Sequence, residues 1–178
     1  NGGLGQHRIE GIGDKICSLV HNINNTDYIT LVDGKDCLKG LKVIEDGQYE
    51  SLKGLFGVSS ICNIIAAIKM AKFLKLGKDD NVVTIATDSF DRYNSVIENL
   101  KERELEVTPN VLDRWFEDVF MNQCTCGILD TRGKEAKEAL FKQKEKDWLP
   151  FGYSKAYLDS MKVMSFWDNE YNKIKDYD

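Results

Sequence analysis

Five consecutive residues, Val82 to Ala86, are apolar or β-branched and sit between Asn81 and the polar turn Thr87-Asp88-Ser89. A strand with one wet face alternates polar and apolar side chains; an unbroken run belongs to a strand covered on both faces, as in a parallel sheet. Parallel pairing requires crossover helices, and the preceding sequence supplies one. Ile64, Ile65, Ile68 and Ala71 recur at helical spacing while Lys69, Lys72 and Lys75 point elsewhere. Ser59 or Ser60 is placed to cap its start, and Gly77 to give it a left-handed stop. In open α/β sheets ligands collect at the carboxyl ends of strands, so the turn opened by Thr87, Asp88 and Ser89 is the first place to look for a site.

Upstream, Tyr28 to Val32 is a short β-prone run, and Asp33 can cap a helix that carries Cys37, Leu38, Leu41 and Ile44 on roughly one face. From residue 94 onward the pattern changes to helices with aromatic faces. Thr108 and Pro109 form an N-cap and first-position pair for a helix to Met121. Thr131 opens a charged helix to about Lys146, Ser154 another to about Met164, and a last segment runs through Trp167 and Tyr171. The expected organisation is an α/β part over residues 1–93 and a helical extension over 94–178 packed on it.

Composition narrows the classes of partner. The chain has 178 residues, 42% hydrophobic and 30% charged, an ordinary globular balance able to bury one sizeable core. A net charge of −5 speaks against a phosphate-backbone partner. No run of about 18 apolar residues occurs, so no membrane span is expected. The first residues have neither the basic start nor the apolar stretch of a signal peptide, which leads to the expectation of a cytoplasmic protein with reduced thiols. An odd count, Cys17, Cys37, Cys62, Cys124 and Cys126, agrees with free thiols. Cys124 and Cys126 are too closely spaced, and His7 and His21 too distant in sequence, to compose a four-ligand zinc site, so no metal is expected.

Three segments carry a family resemblance. HRIEGIG (His7 to Gly13) is similar to the HKIQGIG segment of O-acetylserine sulfhydrylases, with Glu10 in place of the usual glutamine. GVSS (Gly57 to Ser60) resembles their GISSG motif, although Ile61 stands where glycine is usual. TDSFDRY (Thr87 to Tyr93) resembles the motif whose serine hydroxyl hydrogen-bonds the pyridine nitrogen of pyridoxal phosphate, with Thr87 replacing a proline and Phe90 a common glycine. The chain thus resembles the C-terminal half of a pyridoxal-phosphate enzyme of the cysteine synthase type. The resemblance covers about residues 5–93, and taken by chemistry alone the same residues also read as glycine turns and helix caps.

What the resemblance implies is specific. The fold would be part of the three-layer large domain of a fold type II enzyme, a parallel sheet flanked by helices. Ser89, with Asp88 and Thr87 as neighbours, would meet the cofactor ring nitrogen, and the backbone of Gly11, Ile12 and Gly13 would face the ring. Glu10 and Gly11 would face the amino-acid substrate. The chemistry would be β-replacement or β-elimination on serine- or cysteine-type substrates, a lyase or transferase reaction. The Schiff-base lysine of the family precedes these motifs, so it is expected outside this chain, which holds no catalytic residue of its own and would pair with an N-terminal half or form a homodimer. The alternative is a non-catalytic interaction module built on the same fold. A nucleotide-binding α/β domain would need a phosphate loop, which the sequence lacks.

Overall fold

The computed structural model describes Ile9, residues 16–92 and residues 108–177. These fall into two compact units, one built from 30–92 and 108–127 together with Ile9, the other from 16–29 and 128–177. The fold is mixed but mostly helical, with a single two-stranded sheet among the described residues. No helix among them is long and apolar enough to cross a membrane.

In the first unit α1 spans Gly34–Asp46 and begins where the Asp33 carboxylate accepts the Lys35 amide at 2.8 Å, satisfying one of the helix's orphan donors. Helix α2 covers Val58–Leu74, and α3 covers Pro109–Phe116 before running into a π-helical turn at Glu117–Met121. Their shared core gathers Ile9, Cys37, Leu38, Leu41, Ile44, Val58, Ile61, Ile65 and Val119. Burying each large aliphatic side chain contributes about 1.5–3 kcal/mol. Gly40 permits the close approach of α1, since a methyl group there would lie 2.8 Å from the Ile61 side chain and 3.1 Å from Phe120. Tyr93, where the sequence places a domain boundary, lies outside the described residues; α3 belongs to the same unit as α1 and α2, and Val119 of the π-helical turn that follows it enters their core.

Several expectations are corrected in this unit. Val82 to Ala86 enters no sheet: it has no regular secondary structure and is exposed, Val83 at 90% and Ile85 at 70%. A β-branched run forms a ladder only beside another strand, and here its one recorded backbone bond is the Ile85 carbonyl accepting from Asn63 Nδ2 at 3.0 Å. The three-layer parallel sheet is therefore not what the described residues build. Helix α2 ends at Lys75, a non-glycine residue in the left-handed region at φ 55°, rather than at Gly77. Gly77 instead closes a turn with Asp80, its amide bound to the carboxylate at 2.7 Å. Lys69 is buried, not solvated, because its ammonium donates to the Leu31 carbonyl at 2.5 Å.

The second unit is tied together by lysines. Strands β1 (Tyr28–Thr30) and β2 (Ile128–Asp130) pair, and α4 spans Lys134–Trp148, starting three residues after Thr131. Thr131 is fully buried, its hydroxyl donating to the Thr26 carbonyl at 2.7 Å. Lys137 donates to the carbonyls of Ile23, Asn24 and Thr26 at 2.7–2.8 Å, and Lys144, one heptad later, to that of His21 at 2.6 Å. Lys144 is 1% exposed and its ammonium stands 5.5 Å from the centroid of Trp167, a cation–π contact. Burial pushes the Lys144 amine below its ordinary value, and burial first, then the two lysines, does the same to His21. Ser154 caps α5 (Lys155–Ser160) by accepting the Tyr157 amide, and α6 spans Met164–Asn172. Leu158, Met161 and Trp167 form the local core, with Trp148, Tyr153 and Phe166 packed round it.

Candidate functional site

Two of the three segments singled out in the sequence meet in the first unit. Gly57, not a serine, is the N-cap of α2, so Ser59 and Ser60 lie inside the first turn with their hydroxyls free for other partners. Both are buried, and both face Thr87 and Asp88, 27 to 29 residues along the chain. Ser59 Oγ shares a 2.6 Å hydrogen bond with Thr87 Oγ1 and donates to Asp88 Oδ1 at 3.1 Å. Ser60 Oγ accepts the Thr87 amide at 3.0 Å, stands 3.4 Å from that of Asp88, and donates to the Asp88 carbonyl at 3.1 Å. That carbonyl also accepts the Gly57 amide at 2.8 Å. An amide at the helix start is thus satisfied by the turn, and the Asp88 carboxylate sits where the helix dipole favours negative charge.

The turn continues into a short 3-10 helix, Phe90–Arg92. Phe90 donates its amide to the Gly54 carbonyl at 3.3 Å, which fixes the turn's far end. Ser89, between these two anchors, is exposed, and its hydroxyl donates to the Asp91 carboxylate. Of the predicted cofactor-facing residues, then, Thr87 and Asp88 are held by the two serines of α2 while Ser89 faces outward. Glu10, Gly11, Ile12 and Gly13 lie outside the described residues; Ile9, just before them, is buried in the cluster that includes Val58 and Ile61 at the start of α2.

One group beside this junction escaped the sequence reading. Cys62, one turn after Ser59, and Cys37 of α1 act on each other: the neighbouring thiol and burial raise Cys37, while Cys37 lowers Cys62 against its own burial. The signal available in sequence was a cysteine on the apolar side of each of two adjacent helices. Ser60 also was undervalued: a cap position and a buried hub look alike until the partner segment is in place. Chemically, the junction presents the exposed Ser89 hydroxyl beside the carboxylates of Asp88 and Asp91, a set of hydrogen-bond donors and acceptors. Among the described residues no group of three or more His, Cys, Asp or Glu is arranged to hold a metal. Comparison of the chain with protein-family models, with curated proteins and with solved structures finds no match in any of the three.

Proposed function

We propose that this chain is a portion of a pyridoxal-phosphate-dependent enzyme of the cysteine synthase type, acting in β-replacement or β-elimination on a small amino acid. The observation that supports it is the junction of Ser59 and Ser60 with Thr87 and Asp88, which joins two independently singled-out motifs. Pyridoxal phosphate supplies an electron sink for the substrate carbanion; the protein binds, orients and sets protonation. Ser89 fits the ring-nitrogen role in type and exposure, provided its hydroxyl turns from Asp91. A neutral hydroxyl partner leaves that nitrogen largely unprotonated and moderates the sink, which favours elimination at Cβ over transamination. The Schiff-base lysine would come from a segment outside this chain, and cytoplasmic residence and a homodimer are part of the proposal.

A second reading, a non-catalytic interaction module on the same fold, draws on exposed apolar side chains of the helical extension, Phe151, Val163, Met164 and Ile174. The test is an absorbance scan from about 300 to 550 nm of the protein isolated from its own source, with intact mass measured alongside. The enzyme reading expects a retained cofactor band near about 410–420 nm that Ser89→Ala shifts or weakens. Absence of any retained band, or a band indifferent to Ser89→Ala, refutes it and leaves the module.

A further inference from the structure

The two cysteines expected to be incidental thiols are neither buried nor reduced: Cys124 and Cys126 are both exposed and joined in a disulfide. Their Cα atoms are 5.3 Å apart, inside the span that a bridge accommodates. We infer that this pair is a redox-active dithiol/disulfide, a surface site for exchange with thiols that is separate from the serine–threonine junction.

The first argument concerns what the bridge does for the fold. A disulfide stabilises chiefly by restricting the unfolded chain, and the restriction grows with the length of loop closed. Here the sequence separation is 2, close to the shortest loop a bridge can close. Nor does the loop depend on it for its position. At its entry the Asn122 amide bonds the Glu117 carbonyl at 2.7 Å, the Lys72 ammonium donates to the Met121 carbonyl, and Gln123 Nε2 reaches Asp36 Oδ2 at 3.3 Å. At its exit the Gly127 carbonyl accepts the Leu31 amide at 2.9 Å, and Gly127 turns the chain at φ 69° with the Leu31 side chain against it. The segment is clamped at both ends by contacts that survive reduction.

The second argument concerns reactivity. Exposed disulfides are the labile ones, open to attack by an incoming thiolate along the S–S axis. Because the clamps hold Cys124 and Cys126 close together, the second sulfur stays at high effective concentration and resolves any mixed disulfide before it accumulates. The step balances: an external thiol, ionised to its thiolate, bonds to one sulfur and releases the other as a thiolate, a second ionised external thiol displaces the first cysteine, and the two protons shed by the external thiols end on the two protein thiolates. Net, one protein disulfide and two small thiols give two protein thiols and one small disulfide. The co-reactant is a low-molecular-weight thiol such as glutathione. The other three cysteines are less available, Cys37 being buried and Cys17 and Cys62 half-buried, and burial raises the Cys17 thiol.

The test is equilibration of the full chain in glutathione buffers of graded ratio, acid quench, alkylation and peptide mass mapping, with circular dichroism on the same samples. The expected result is reversible opening and closing of the 124–126 bridge, unchanged helicity, and no lasting glutathione adduct on the wild type. Cys124→Ser and Cys126→Ser, each lacking the resolving sulfur, accumulate one glutathione on the remaining cysteine. The inference is overturned if the wild type accumulates adducts as readily as the single variants, if the bridge never forms, or if opening it collapses the helical signal, the mark of a structural staple.

Discussion

Removing one oxygen, in Ser60→Ala, tests whether the junction between α2 and the Thr87 turn is organised as described. Ser60 Oγ accepts the Thr87 amide at 3.0 Å and donates to the Asp88 carbonyl at 3.1 Å; the 3.4 Å approach of the Asp88 amide is too long to add much. Two sound bonds at about 1 kcal/mol each give ~2 kcal/mol, and stranding the Thr87 amide adds up to ~1 kcal/mol, limited because Thr87 itself is reached by water. Ser59→Ala is the internal comparison. Ser59 is equally buried, but its partners are the Thr87 hydroxyl and the Asp88 carboxylate, so its loss strands no amide and costs about 1 kcal/mol. In urea, with a slope of ~2 kcal/mol per molar, Ser60→Ala lowers the midpoint by about 1–1.5 M and Ser59→Ala by about half that. Amide exchange gives the local readout: protection at Thr87 falls between about tenfold and a hundredfold in Ser60→Ala. If Ser59→Ala costs as much as Ser60→Ala, or Thr87 exchanges at the same rate in the variant, the junction is not built on that hydroxyl.

Gly40→Ala raises helix propensity by about 1 kcal/mol yet destabilises the unit by a net ~1–2 kcal/mol, because the new methyl group lies 2.8 Å from Ile61 and 3.1 Å from Phe120; a rise in thermal midpoint contradicts the packing. Lys137→Met deprives three loop carbonyls of their ammonium at the cost of ~1–3 kcal/mol, a fall of roughly 2–12 °C in melting temperature, and a change under about 1 °C refutes the clamp. His21 has a folded-state value held below 6.5, so the unfolded chain binds the proton first as pH drops. Stability from this group is full above 6.5 and is lost as pH falls through the folded value; His21→Gln flattens the slope of urea midpoint against pH in that window, and an unchanged slope assigns it to other groups.

Much of the helical part was legible in local chemistry. Asp33 before Gly34, Pro109 at a first helical position and Ser154 before Lys155 are signals whose physics is complete within a few residues, and each opens a helix as expected. Val82 to Ala86 failed for the opposite reason: its composition records an environment, burial on both faces, that the described residues do not supply. Lys69 was read as pointing away from the apolar face of its helix, yet its ammonium, like that of Lys144, finds a single carbonyl from a segment far along the chain. Such pairings are fixed only by tertiary placement. The same holds for the site. Ser59, Ser60, Thr87 and Asp88 could be singled out from the sequence, whereas their mutual bonding, and the outward turn of Ser89, could not.

The exposed run from Val82 to Ala86 also bears on how the chain is expected to behave in bulk. No charge or proline interrupts it, its side chains are β-branched or small, and Val82, Val83 and Ile85 stand open to water beside the half-exposed apolar flank of α2. Such a segment is a template for edge-to-edge pairing, and an identical copy is the most abundant strand in any purified sample. Rising concentration is therefore expected to drive self-association at this run, with intermolecular β-structure gained while the helices stay folded.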